Sequence, residues 1–326
     1  MEQRTLGRTG RPVSVAGLGT WQLGADWGEV SEADALAVLH AAVDAGVTLL
    51  DTADVYGDGR SEQLIGRFLR ERPESLCVAT KMGRRAPLDP AEYTVDNFRV
   101  WTDRSRANLG VDTLDLVQLH CPPTPVYSAD AVFDALDTLV AEGRIAAYGV
   151  SVETCAEALT AIARPGVASV QIILNAFRRK PLERVLPAAA EAGVGIIARV
   201  PLASGLLSGK YRADTVFPAD DHRNYNRHGE SFDVGETFSG VDYETGLAAA
   251  AEFAALVPAG ATPAQVALRW VTQQPGVTTV IPGARNVEQA RANAAAVELP
   301  ALSAETLSGI EAIYDNRIRV LVHDRW

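Results

Sequence analysis

Eight short apolar runs, each followed by a longer amphipathic stretch, constrain this chain more than any other feature. The runs occupy 15–20, 47–51, 75–81, 114–120, 145–151, 168–175, 193–200 and 277–281. Helical periodicity falls at 32–45, 61–71, 95–109, 129–142, 153–163, 181–192, 262–274 and 286–296. Continuously apolar strands suit a parallel sheet buried on both faces. Their alternation with helices implies repeated βα units. Eight such pairs predict an α/β fold, a closed (β/α)8 TIM barrel rather than an open doubly wound sheet. Its 326 residues fit one barrel domain spanning 1–326.

Punctuation along the chain refines this picture. The opening LGRTGRPVS predicts an N-terminal β-hairpin plugging the barrel bottom. Thr262-Pro263-Ala264-Gln265 carries an N-cap, a first-turn proline and a capping-box partner. Residues 205–245 are polar, Gly-rich and aperiodic, which predicts a long loop after the seventh strand on the active face. The tail 301–326 reads as one further helix plus an extended end.

Charge and cysteine usage exclude several function classes. The formal net charge of −11 argues against nucleic acid and anionic membrane as partners. Cys77, Cys121 and Cys155 are few, odd in number and widely spaced. They show no metal-ligand spacing and point to a reducing, cytoplasmic setting. The polar N-terminus lacks a secretory apolar region, and no run of about 18 apolar residues predicts a membrane span.

The ends of the strands carry the chemistry. Asp51 closes the second strand and Tyr56 lies in the loop after it; Lys81 closes the third and His120 the fourth. In a parallel barrel all strand C-termini share one face, so these four side chains converge. Tyr is a weak acid, and a cationic Lys81 beside Tyr56 is expected to lower its pKa. Asp51 would keep Lys81 charged and oriented, and His120 would polarise a carbonyl oxygen. The set places an acid to protonate an oxygen while hydride reaches the attached carbon.

Asp51-Thr52-Ala53-Asp54-Val55-Tyr56-Gly57, with Ser61-Glu62 and Ile65-Gly66 after it, resembles the aldo-keto reductase signature. Lys81, Leu116-Val117-Gln118-Leu119-His120, Gly149-Val150-Ser151 and Ile281-Pro282-Gly283 match in order as well. The resemblance runs from Gly17 to about Asn293. It implies the catalytic tetrad Asp51, Tyr56, Lys81 and His120, and NADP(H) as cofactor. The nicotinamide half would lie near Gly19, Thr20, Trp21, Asp51, Ser151 and Gln171. Val152 stands where the family usually has Asn, and Arg199 where it often stacks an aromatic. Pro201, Leu202, Ser204, Gly205, Leu207 and Lys210 would run along the pyrophosphate. Gly283, Ala284, Arg285, Gln289 and Asn293 would hold the adenosine end. Arg285, facing a 2′-phosphate, favours NADP over NAD.

The expected activity is reduction of an aldehyde or ketone by NADPH, reversible in principle, on a small-molecule carbonyl or alcohol. Trp21, Tyr56 and His120 would contact that substrate. The chain would act as a monomer or homo-oligomer. His222, His228, Asp220 and Asp221 invite a metal reading, but their irregular spacing suits a loop closing over the cofactor better, and no metal is expected. Trp101 reads as helix packing, and Trp326 as a cover for the pocket or a subunit contact. One rival is a cofactor-binding regulatory subunit resembling potassium-channel β subunits, which the lack of an obvious N-terminal extension disfavours. Another is a barrel lyase or isomerase with Lys81 as a Schiff-base nucleophile.

Overall fold

The computed structural model describes residues 1–24 and 30–326. A hairpin of β1 (Gln3–Thr5) and β2 (Pro12–Ser14) precedes the barrel. The eight barrel strands are β3 (Leu18–Gly19), β4 (Leu49–Asp51), β5 (Cys77–Met82), β6 (Leu116–His120), β7 (Tyr148–Ser151), β8 (Val167–Ile173), β9 (Gly195–Arg199) and β10 (Thr279–Val280). They pair in parallel in chain order. Parallel bridges from Ala16 to Val280 and from Gly19 to Gly283 close the ring. The fold is a (β/α)8 TIM barrel.

The outer helices are α1 (Glu32–Asp44), α2 (Arg60–Glu71), α3 (Val95–Leu109), α4 (Asp130–Ala141), α5 (Cys155–Ile162) and α6 (Pro181–Ala192). After β9 come α7 (His222–Tyr225), α8 (Tyr243–Ala255) and α9 (Pro263–Gln273), then α10 (Val287–Ala295), α11 (Ala304–Ile313) and α12 (Arg319–Val322). Their starts follow side-chain chemistry. Thr262 and Gln265 form the expected reciprocal capping box of α9, and Thr154 with Glu157 does the same for α5. Such caps satisfy backbone N–H groups that a helix start leaves open.

Two expectations are corrected. Helix α8 was absent from the periodic stretches, because its YETGLAAAAEFAA sequence is apolar on most faces; its one clear signal is Asp242, which caps it. The tail does not end extended. The helix continues from α11 through a wide turn at Tyr314–Ile318 into α12, because Ile318 and Val322, four apart, both face the core.

Barrel interiors follow the period of two that strands impose. Toward the bottom, Leu49, Cys77, Ala79, Leu116 and Ile197 form a small core with Leu6 and Val13 of the hairpin, and Ile281 closes it from the cavity side. One step further up, the same rows turn polar: Cys77-Ala79 leads to Lys81, Leu116 to Gln118 and His120, and Ile197 to Arg199. The hairpin therefore seals the bottom and leaves the polar top as the working end. Gly7 sits so close to Ala168 and Gly195 that a Cβ there would meet the Ala168 carbonyl at 2.1 Å. Among the described residues, no helix is long and apolar enough to cross a membrane.

Candidate active site

Lys81 is the pivot of the polar end. Its Nζ donates to Asp51 Oδ1 at 2.5 Å, to the Thr52 carbonyl at 2.9 Å and to the Tyr56 hydroxyl at 3.4 Å. Strand register makes this possible: β4 and β5 are paired neighbours, and the backbone N–H of Asp54 donates to the Lys81 carbonyl. Burial alone would push Lys81 toward neutrality, but the Asp51 carboxylate and the Tyr56 oxygen more than offset it and hold the ammonium above its usual range. Asp51 is itself braced through Oδ2, which accepts from Gln171 Nε2 at 2.7 Å and Gln118 Nε2 at 3.2 Å. The expected amide Gln171 thus orients the carboxylate.

The pKa of Tyr56 moves against the sequence expectation. Lys81 does favour the phenolate, yet burial, reinforced by Asp51 and Glu236, raises the phenol above its ordinary value. Tyr56 therefore keeps its proton at neutral pH. It is presented by a tight turn in which Gly57 adopts φ 58°, and a Cβ at Gly57 would fall 2.1 Å from the Gly24 carbonyl. His120 meets the Tyr56 ring edge-on at 6.0 Å between centroids. Burial, together with Arg84, Lys81 and Arg199, keeps His120 neutral far below the usual imidazole range. Its Nδ1 is buried and has no hydrogen-bond partner among the described residues.

These side chains open into a cavity of about 1050 Å³, lined by Trp21, Asp51, Tyr56 and His120 among others. Lys81 lies just behind its wall, 1 % exposed. Of the residues expected along the cofactor, Gly19, Thr20, Ser151, Gln171, Arg199, Pro201, Leu202, Ser204, Gly205, Lys210, Gly283, Arg285, Gln289 and Asn293 also line it. Leu207 and Ala284 do not reach it; both pack in the core behind. Ser204 and Gly205 take φ 54° and 97°, and Val200, a β-branched residue before a proline, takes φ 53°. Such conformations are costly and cluster where a loop must hold a particular shape. Asn175 braces this loop, donating to the Val200 carbonyl at 2.9 Å and to Ser239 Oγ at 2.8 Å.

Arg199 does more than replace an aromatic. Its guanidinium pairs with Glu236 at 2.6 Å and Glu153 at 3.0 Å, and donates to the Val152 carbonyl at 3.0 Å. The Val152 side chain is fully buried, so only its backbone contributes there. Arg84, Val55, Glu236 and Phe232 line the cavity as well and were not among the expected site residues. Arg84, three residues past Lys81, had a positional signal; Glu236 and Phe232 had none, because a loop returns them from a distance.

The long segment after β9 folds over the cavity. His222 packs against Trp21 at 5.2 Å, and Phe232 meets Trp21 edge-on at 6.1 Å. His222 Nδ1 is shared with Thr237 Oγ1 at 3.2 Å, and burial lowers its pKa to about 4. Trp326 neither covers the cavity nor faces outward. Its indole donates to Asp233 at 2.9 Å and its ring lies 3.8 Å from the Arg178 guanidinium, so it supports this segment from beneath. Trp101 packs against Tyr93 and Phe98.

Comparison with known proteins agrees with this geometry. An aldo-keto reductase of Bacillus subtilis is 29% identical over 98% of this chain and 95% of its own length. Among solved structures, a glycerol dehydrogenase from Gluconobacter oxydans superposes with a TM-score of 0.77 at 31% identity, covering 94% of this chain and 93% of that one. An aldo-keto reductase from Klebsiella pneumoniae, solved in complex with NADPH, gives 0.69 at 25% identity, covering 98% and 99%. The model of the Aldo/keto reductase family matches residues 16–315, nearly the whole barrel, and the chain belongs to that family.

Proposed function

We propose that this protein is an NADPH-dependent reductase of aldehydes or ketones in which Tyr56 is the general acid. The observation that carries the reading is the buried relay Asp51–Lys81–Tyr56, with steps of 2.5 Å and 3.4 Å, ending in a protonated phenol at the cavity wall. NADPH, when bound, supplies the hydride. Tyr56 hands its proton to the carbonyl oxygen, and the adjacent ammonium of Lys81 stabilises the phenolate left behind. Asp51, fixed by Gln118 and Gln171, keeps Lys81 charged and aimed. The neutral His120 imidazole orients the oxygen.

The cavity's donor set fits an extended dinucleotide. Lys210 and Arg285 line it, where phosphates find cations. Ser151 and Gln171 supply hydroxyl and amide groups. Asn293 donates to the Gly283 carbonyl at 3.0 Å and Gln289 accepts from the Arg285 N–H at 2.9 Å, which shapes the turn before α10. We place Arg285 on the 2′-phosphate, and the reaction in a reducing, cytoplasmic setting as one barrel domain. Replacing Tyr56 by Phe tests the assignment: turnover of a carbonyl panel should drop by about 10²-fold or more, with NADPH affinity retained. Near-normal turnover would remove Tyr56 from the chemistry, and NADPH binding without any turnover in the wild type would favour a regulatory role.

A further inference from the structure

We propose that Arg84 selects carbonyl substrates bearing an anionic group, a carboxylate or phosphate, close to the reacting carbonyl. The inference rests on the reductase reading and narrows its substrate class. Gly83, at φ 111°, turns the chain sharply after β5 and directs Arg84 into the cavity wall. There Arg84 Nε donates to the backbone carbonyl of His120 at 3.2 Å. The guanidinium is thereby fixed to the end of β6, beside the imidazole that would orient the substrate oxygen.

The rest of that guanidinium is poorly spent. Its closest carboxylate is Glu153 Oε1 at 3.4 Å from one terminal nitrogen, longer than an ordinary N–H···O bond. Among the described residues its other terminal nitrogen has no partner. The neighbouring acids are engaged elsewhere. Glu153 Oε2 pairs with Arg199 at 3.0 Å, its backbone carbonyl accepts from Arg178 at 2.8 Å, and Glu236 pairs with Arg199 at 2.6 Å. Burial pushes the Glu236 carboxyl upward, which weakens the negative charge it brings to the cavity wall. Arg84 itself stays firmly cationic.

An arginine anchored along one edge and open along another is suited to planar, two-oxygen anions. A neutral carbonyl compound would leave those donors to water. An aldehyde or ketone with a nearby carboxylate or phosphate would satisfy them and, with Tyr56 and His120 on its oxygen, would be held at two points.

Matched substrate pairs test this: 4-carboxybenzaldehyde against its methyl ester, and glyceraldehyde 3-phosphate against glyceraldehyde. For at least one pair, the wild type should favour the anion by about 10- to 100-fold in kcat/KM. Arg84→Met should collapse that ratio, chiefly through KM for the anion. A structural role would lower both members alike and leave the ratio intact, which overturns the proposal. So does a wild type without preference in either pair, or a defect confined to NADPH affinity. If Arg84→Met does not fold, or no carbonyl is turned over, calorimetry on the wild type decides, with and without NADPH. Succinate bound at least about 10-fold more tightly than succinamide supports the anion site; equal binding overturns it, whatever the fate of the reductase reading.

Discussion

Glu236 reaches Arg199 at 2.6 Å, joining a loop 37 positions further along the chain to the end of β9. Both groups are nearly enclosed, with side-chain exposures of 13% and 8%. Their pairing is therefore a clamp between the folded-over segment and the barrel, and it forms part of the cavity wall. Breaking a buried pair leaves a charge without compensation, which costs about 3–5 kcal/mol. Arg199 retains Glu153, so the lower end applies. Glu236→Leu should lower stability to denaturant by about 3 kcal/mol and speed proteolytic cleavage within 205–240. Unchanged midpoints and cleavage rates would show that Glu153 alone suffices.

The titration directions at the tetrad give a distinctive pH profile. Burial raises Tyr56 above its usual value near ~10 and lowers His120 well below its usual ~6.5. In the proposed carbonyl reduction the Tyr56 phenol must start protonated, so kcat should stay flat from about pH 6.5 to 10. Alcohol oxidation needs the phenolate instead, so its rate should climb across the same range. Steady-state kcat profiles in both directions check this. A reduction rate that bends near pH 6.5 would mean that His120 titrates in the open.

Asp54 lies between Asp51 and Tyr56 in sequence and is fully buried, and among the described residues neither carboxyl oxygen has a side-chain hydrogen-bond partner. Burial, helped by Glu62 and opposed by Arg85 and Arg104, raises its pKa from 3.8 to about 7. Across that window the folded protein keeps a proton that the unfolded chain has released, so this group's contribution falls as pH rises. Asparagine cannot titrate. The stability of Asp54→Asn relative to wild type should therefore improve by a few kcal/mol between about pH 4 and 7 and level off above. Urea midpoints of both proteins at pH 5 and pH 8 measure the difference. An equal gap at the two values would mean that Asp54 stays ionised.

How much of this was legible in the sequence depended on what fixes each residue's place. Lys81, His120 and Asp51 were readable because each ends an apolar strand, and parallel strands bring their ends to one face. Glu153 and Glu236 carry equally strong chemistry, yet their pairing with Arg199 depends on where two loops return. Periodicity does not record that. Helix α8 was hidden by alanines that leave no apolar stripe, although Asp242 marked its start. The direction of the Tyr56 shift escapes the sequence for a related reason. A sequence shows that Lys81 and Tyr56 can meet, but not how thoroughly the site excludes water, and here exclusion dominates. The place of Trp326 is not legible in the sequence because its partners, Arg178 and Asp233, come from distant segments.

The turn that presents Tyr56 offers a test of positioning separate from chemistry. Gly57 adopts φ 58°, a left-handed conformation costing an L-residue about 1–2 kcal/mol. A Cβ there would also stand 2.1 Å from the Gly24 carbonyl, far inside contact distance, and that obstacle is backbone. The strain cannot be relieved by rotating a side chain, so the turn itself must shift and carry Tyr56 with it. Misplacement of a reacting group by about 1 Å can cost about 10²-fold in rate. Gly57→Ala should therefore lose about 10- to 100-fold in kcat and about 2 kcal/mol or more in stability, while the phenol remains present and titratable. Retention of the wild-type rate would show that the proton can be delivered from more than one position of Tyr56.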